Sequence, residues 1–419
     1  MRALSLLMMT LCLAPGCKRL SAQPQIADSD GPALYKHYCA LCHGAKAKGY
    51  AADNAPSLVS ATFAATAGDN FLRTSIERGR PGTAMAGYGK MVGGPLNTTQ
   101  IASIIAFLRE GAPPPLTLPL TVARGDVARG KIVYESKCAR CHGTQMQRAD
   151  AVHLFNGNLL TAASDAFLRY AVVKGRPDTR MEPFEGKLDP QSIDDVVAYL
   201  RSFTPPPAPL AAAPPPPMPS NPAAGMEAAM PLKGPLVINA KGRAADLKLR
   251  EDRFASLDDV KAALDGQRRI VIIDARAPSD WLRLHIPGSI SVPYYDMKAL
   301  DRLPNDDTWI IAYCACPHHA SGVVVDELRK RNYKHSAVLD EGIFAWQQKG
   351  YPVVAAPGAL PVPAPPKLVI PGAPTAMPPP GAAPTTLTPP STTGKPATAP
   401  PPPLTPTAAA PHPTTTTGH

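Results

Sequence analysis

The string Cys39-Ala40-Leu41-Cys42-His43 returns downstream as Cys138-Ala139-Arg140-Cys141-His142, and its surroundings return with it. Gly31, Tyr35 and Cys39 recur as Gly130, Tyr134 and Cys138 with the same steps of four. Phe71-Leu72-Arg73 recurs as Phe167-Leu168-Arg169, and Ala106-Phe107-Leu108-Arg109 as Ala198-Tyr199-Leu200-Arg201. Gly79-Arg80-Pro81-Gly82-Thr83-Ala84-Met85 recurs as Gly175-Arg176-Pro177-Asp178-Thr179-Arg180-Met181. A unit of about 95 residues is used twice, the size of a domain and too long for a solenoid repeat. Each unit reads as helical. Ile101, Ile104, Ile105 and Leu108 in the first, and Ile193, Val196, Val197 and Leu200 in the second, recur at helical spacing and form a core stripe. Asn97 or Thr98, and Asp189, are placed to cap these last helices.

C-x-x-C-H has a specific chemistry. Two cysteines three apart reach the two vinyl groups on one haem edge and form thioethers, and the following His sits under the iron. A thioredoxin-like pair needs a strand before it, but the flanks here are helical. A zinc site needs two more ligands nearby. On the attachment motif, the Gly/aromatic first helix, a downstream Met and the terminal helix, the repeats resemble class I cytochrome c domains. The resemblance implies two haem c groups, held covalently by Cys39 and Cys42 and by Cys138 and Cys141, with His43 and His142 as proximal ligands. It also implies a methionine sixth ligand about 40 residues after each His, where Met85 and Met181 stand in the shared string. Met91 competes in the first unit but has no counterpart in the second. The family commonly fixes the ligand imidazole with a Pro carbonyl, and Pro56 matches. Val152 holds the aligned place in the second unit, followed by His153, which should sit on the side already taken by His142.

A third unit changes character. Ile270-Val271-Ile272-Ile273-Asp274 and Trp309-Ile310-Ile311-Ala312-Tyr313 read as buried strands, and a helical pattern runs from Gly322 to Arg331. The alternation implies α/β with a parallel sheet. Asp274-Ala275-Arg276, His285-Ile286-Pro287-Gly288-Ser289-Ile290, and Leu339-Asp340-Glu341-Gly342-Ile343-Phe344-Ala345-Trp346 with Gly350-Tyr351-Pro352-Val353 resemble the rhodanese homology domain. The resemblance implies that Cys314, ending the central strand, is a nucleophile that carries sulfane sulfur. A loop wrapped before a helix N-terminus favours thiolate there. The loop departs from the family's Cys-x-x-Gly-x-Arg-Ser: Pro317 removes a donor, and His319 replaces the Arg, making the loop charge pH-dependent. Cys316 is the extra group, a resolving thiol or an inert small residue. Cys314, Cys316, His318 and His319 together could also invite a soft metal.

Composition divides the chain. Pro is 52 of 419 residues, concentrated in blocks, so part of the chain does not pack. The expected plan is a signal peptide at 1–17, a polar leader at 18–30, two all-α cytochrome c domains at 31–111 and 124–204, a Pro-rich linker at 205–235, a rhodanese-like domain at 236–355 and a disordered Pro/Thr/Ala tail at 356–419. The apolar run after Arg2 is too short to span a bilayer and suits an export signal. It ends at Ala14-Pro15-Gly16-Cys17, which resembles a bacterial lipobox although Ala14 and Pro15 depart from its preferred residues. Cys17 is thus the lipidation candidate, implying an exported, periplasmic chain anchored to a membrane by lipid. The net charge of +10 is spread along the chain, and no nucleic-acid motif accompanies it, so nucleic acid is not an expected partner.

These readings converge on a dihaem electron carrier with redox partner proteins in the cell envelope and a small sulfur compound as a candidate ligand of the third unit. Two alternatives stay open. One is a sulfur-compound oxidoreductase or sulfurtransferase in which Cys314 takes sulfur and the haems take electrons. The other is a thiol-redox sensor built on Cys314 and Cys316.

Overall fold

The computed structural model describes residues 26–52, 54–119, 124–206, 236–315, 318–356 and 367–368. The expected signal segment with Cys17, Cys316, most of the linker and nearly all of the tail lie outside the described residues.

The first repeat comprises α1 (Gly31–Tyr38), α2 (Ala40–His43), α3 (Ala61–Thr66), α4 (Asp69–Arg78) and α5 (Thr98–Arg109). The second comprises α6 (Val127–Lys137), α7 (Ala139–His142), α8 (Gly157–Ala162), α9 (Asp165–Lys174) and α10 (Pro190–Arg201). Local chemistry sets the ends. Asn97 accepts from Gln100 N while the Gln100 side chain answers at Asn97 N, a reciprocal cap. Asp189 accepts from Ser192 N at 2.9 Å. The first and last helices cross where the repeated glycine sits: a Cβ at Gly31 would lie 2.3 Å from Ser103 O, and one at Gly130 1.9 Å from Asp195 O. Only glycine permits that crossing. The apolar stripes of α5 and α10 are fully buried in it, each large aliphatic contributing roughly 1.5–3 kcal/mol.

The arginine closing each stripe has a structural task that spacing alone hid. Arg109 donates to Ala64 O at 2.6 Å and to Ala67 O, and pairs with Asp69. Arg201 repeats this toward Leu160 O, Ala163 O and Asp165. Each guanidinium therefore satisfies carbonyls left over at the end of a short helix.

The repeats share one apolar core, joined by Phe63, Phe71 and Phe167. Their polar contacts are reciprocal. Ser60 Oγ donates to Pro177 O at 3.1 Å, and Asn156, its counterpart, donates to Pro81 O at 2.9 Å. Thr62 Oγ1 donates to Gly175 O at 2.7 Å, and Asn158 to Gly79 O at 3.1 Å. The two Gly-Arg-Pro-x-Thr-x-Met segments thus lie at one pseudo-symmetric joint.

The third unit is built on a six-stranded sheet in the order β2 (Leu249–Arg250), β3 (Phe254–Ala255), β7 (Ser336–Leu339), β6 (Trp309–Tyr313), β4 (Ile270–Asp274), β5 (Ile290–Ser291). Both strands expected from the apolar runs are present over the expected residues. The sheet is not wholly parallel. β2 pairs antiparallel with β3, because only residues 251–253 separate them and so short a link can only reverse the chain. The helix after β6 runs His319–Lys330, starting before the expected Gly322. Nor is the second repeat free of strand: β1 (Gln147–Arg148) pairs parallel with β8 (Lys367–Leu368). No periodicity could announce a pair of that length.

Candidate functional sites

In the first repeat, α1 delivers Cys39 and α2 carries Cys42 and His43. Tyr35, buried at the crossing, donates to Gly44 O at 2.7 Å and ties α1 to the chain just past the His. His43 is 7% exposed, with Nδ1 2.9 Å from Pro56 O. Its pKa is lowered by burial, against the carbonyl contact, so the ring is neutral at pH 7 with Nε2 as its remaining donor atom. Burial pushes the Cys39 thiol up to about 12. The second repeat reproduces this. Tyr134 donates to Gly143 O at 2.9 Å, and His142 Nδ1 lies 2.7 Å from Val152 O. Burial again lowers the imidazole, and it pushes Cys138 up to about 11. Val152 supplies the carbonyl that Pro56 supplies in the first repeat, since the contact needs only backbone. His153 turns to another carbonyl, Thr144 O at 2.9 Å.

Met85 and Met181 sit at the end of a small folded turn. Arg80 N donates to Met85 O at 2.7 Å, Thr83 Oγ1 donates to Arg80 O at 2.7 Å, and Met85 N donates to Thr83 Oγ1 at 3.2 Å. Arg176, Thr179 and Met181 repeat the pattern at 2.7, 2.7 and 3.1 Å. The turn starts from a left-handed glycine in both cases, with φ of 63° at Gly79 and 61° at Gly175. Each arginine reaches back over the joint: Arg80 lies 5.6 Å from the Phe71 ring, and Arg176 lies 5.2 Å from Phe167 and 5.7 Å from Phe63. Burial lowers both guanidinium groups to about 10, which leaves them charged at neutral pH. Met91, in contrast, is 54% exposed. The shared string was legible, but the Thr and Arg in it were read only as repeat markers. Their recurrence around a Met was the available signal that they position it.

In the third unit Cys314 directly follows β6 and is 1% exposed. Its Sγ lies 3.3 Å from Ser321 Oγ, and its carbonyl accepts from Ile343 N at 3.0 Å. Ser321 was not singled out by sequence, because the family's serine aligns one place earlier, at Ala320. His319 is exposed. His318 is the better-held imidazole: it adopts φ 84°, stacks 4.2 Å from Phe254 and places Nε2 2.8 Å from Asp340 Oδ1. Burial opposes ionisation of Asp340, yet hydrogen bonds from His318 and Arg250 hold its carboxyl below the usual range. Beneath the sheet end, Arg276 is 6% exposed and Asp274 is 0% exposed, 2.7 Å apart. Burial acts against the guanidinium, and Asp274 outweighs it and raises its pKa. Among the described residues no group of three or more His, Cys, Asp or Glu could hold a metal ion, and Cys316 lies outside them.

Residues 27–108 and 125–200 match the family described as cytochrome C oxidase, cbb3-type, subunit III, and residues 256–349 match the rhodanese-like domain. The chain is 30% identical over 195 residues to the Cbb3-type cytochrome c oxidase subunit CcoP of Azospirillum sp. (strain B510), covering 42% of this chain and 62% of that one. It is 28% identical over 196 residues to the CcoP subunit of Azospirillum brasilense, with the same coverage. The chain therefore spans less than two thirds of the curated relatives it matches. The solution structure of the rhodanese-like domain of the Anabaena sp. Alr3790 protein is 26% identical, covers 27% of this chain and 88% of that one, and superposes with a TM-score of 0.24. The helical repeats thus each match the cbb3-type cytochrome subunit III family, and the α/β unit that follows them matches the rhodanese-like domain.

Proposed function

We propose that this chain is a dihaem c-type electron-transfer protein of the cell envelope, with a rhodanese-like domain that binds or transfers sulfane sulfur through Cys314. One observation carries the haem reading: twice over, a cysteine pair adjoins an imidazole, buried at His43 and half-buried at His142, whose Nδ1 is engaged by a backbone carbonyl. That donor set fits the group, because it fixes the tautomer that leaves Nε2 for iron. Cys39 and Cys42 would hold one haem by thioethers and Cys138 and Cys141 the other, and His43 with Met85, and His142 with Met181, would bind the irons. When bound, the haems supply one-electron chemistry, with thioether sulfur favouring the reduced iron. The protein contributes position. The Arg-Pro-x-Thr-x-Met turns hold each Met, and reciprocal hydrogen bonds join the two turns across the repeats.

Envelope redox proteins are the partners this reading implies, other oxidase subunits among them, since the matching relatives are oxidase subunits. Periplasmic placement with a lipid at Cys17 belongs to the same proposal. Among the described residues no helix is long and apolar enough to cross a membrane. The sulfur reading is supported by Cys314 just past the central strand beside Ser321, ahead of a twelve-residue helix.

Two experiments test these readings. The mature protein, made in a host competent for cytochrome maturation, should gain the mass of two porphyrins, and one should be lost from a Cys39→Ser/Cys42→Ser variant. No porphyrin mass in the wild type would end the haem reading. Cyanide-releasable sulfur should be found after incubation with a sulfane donor and be absent from Cys314→Ser; equal nulls would remove the sulfur role.

A further inference from the structure

The repeats match in their hydrogen bonds but not in what lies against them. Ser279 Oγ of the rhodanese-like domain donates to Gly87 O at 2.6 Å in a buried contact, two residues past Met85. Tyr294 OH donates to Tyr38 O at 2.7 Å, one residue before Cys39, and lies 3.3 Å from Tyr88 OH. Tyr295 packs 4.9 Å from Tyr38 and, with Ala277, encloses Ala86. Burial, with the nearby Cys42 and Cys39 thiols, holds the Tyr294 phenol above its usual range. The third domain therefore rests on the residue just before the first attachment motif and on the segment just past Met85.

The aligned residues of the second repeat are uncovered. Ala86 and Gly87 are buried, whereas Glu182 and Pro183 are exposed. Cys42 is partly buried, whereas Cys141 is exposed. The residue types follow: Tyr38 and Leu41 in the first motif correspond to Lys137 and Arg140, both exposed, in the second. Among the described residues neither Lys137 nor Arg140 enters an ion pair, while Glu182 is neutralised by Lys187 at 2.7 Å. The open edge is left net positive.

We propose that the rhodanese-like domain is a fixed cover over the first haem-attachment edge, and that the edge around Cys141 is the port through which this chain exchanges electrons with an acidic redox protein. This rests on the haem reading above. An acidic partner follows from charge: opposite surface potentials steer encounter and raise its rate by 10-fold or more at low salt.

Hydrogen exchange on the full-length holoprotein reads the cover. Ala86 N and Tyr88 N donate to Ala84 O and Ile76 O, as Glu182 N and Phe184 N donate to Arg180 O and Val172 O. With internal bonding matched, about tenfold slower exchange at Ala86 and Tyr88 is the expected signature of the third domain. Ser279→Arg should remove that difference while residues 270–274 and 309–313 stay protected; Tyr294→Ala, which deletes the bond to Tyr38 and the contact with Tyr88, should do so in part. Equal exchange in the two wild-type segments overturns the cover. For the port, oxidation of the reduced protein by ferricyanide, an anionic probe, should slow about tenfold at low salt in Lys137→Glu/Arg140→Glu and lose its salt dependence. An unchanged rate overturns the port. A protein lacking porphyrin would sink the haem reading instead, and the exchange pattern is measured independently of it.

Discussion

The turn that carries Met85 offers a direct test of ligand positioning. Thr83→Val keeps the shape of the side chain and deletes two hydrogen bonds, Thr83 Oγ1 to Arg80 O and Met85 N to Thr83 Oγ1. At about 0.5–1.5 kcal/mol net for each bond, the turn loses roughly 1–3 kcal/mol. If that energy holds the sulfur over the iron, release of Met85 from the ferric haem becomes about 5- to 140-fold more favourable. An added ligand binds only when the methionine is off, so its apparent affinity rises by the same factor. The assay is an absorbance titration of the oxidised holoprotein with imidazole. Thr83→Val should tighten binding at the first haem and leave the second unchanged, and Thr179→Val should do the reverse. Wild-type imidazole affinity at both haems in both variants, with porphyrin content intact, would refute the idea that these threonines hold the methionines.

Other consequences are independent of that one. Replacing Arg276 with Leu leaves Asp274 buried without its partner and should cost about 3–5 kcal/mol in denaturant unfolding of the rhodanese-like domain, while Arg276→Leu/Asp274→Asn should recover part of the loss. Asp195 is bound by Arg129 and accepts from Asp126 N, and its carboxyl is held well below the usual range by the Arg129 hydrogen bonds. A depressed carboxyl stabilises above its unfolded pKa and loses that contribution as pH falls. The second repeat should therefore weaken on acidification below about pH 4, and Asp195→Asn should flatten that dependence in melts followed between pH 5 and 2. Gly130→Ala would press a methyl into Asp195 O and should lower the melting temperature of the second repeat more than any exposed Gly→Ala change, as at Gly186, read by circular dichroism.

Much of the local structure could be read from the residues. Stripes at helical spacing, Asn97 and Asp189 as caps, and β-branched runs such as Ile270-Val271-Ile272-Ile273 are short-range signals, and each formed the element it implied. The cysteine pairs with their histidines were legible because C-x-x-C-H is a distinctive spacing used twice. Less visible was anything set by a partner distant in sequence. Val152 could be named as the counterpart of Pro56 only by alignment, and the contact of its carbonyl with His142 appears only in the fold. Arg109 and Arg201 showed themselves as repeated letters, yet their work is to bind carbonyls some 40 residues upstream.

Taken alone, the sequence determined that a helical unit is used twice, that each copy carries a C-x-x-C-H motif and a methionine, and that an α/β unit follows. All of this rests on patterns within a few residues or on a direct copy. The tertiary structure alone decided that the two methionine turns meet at a reciprocal joint, and that Tyr294 and Ser279 lie on the first repeat and not on the second. Such contacts depend on shape and charge matching between surfaces far apart in the chain, and no local period encodes which of two similar faces will be covered.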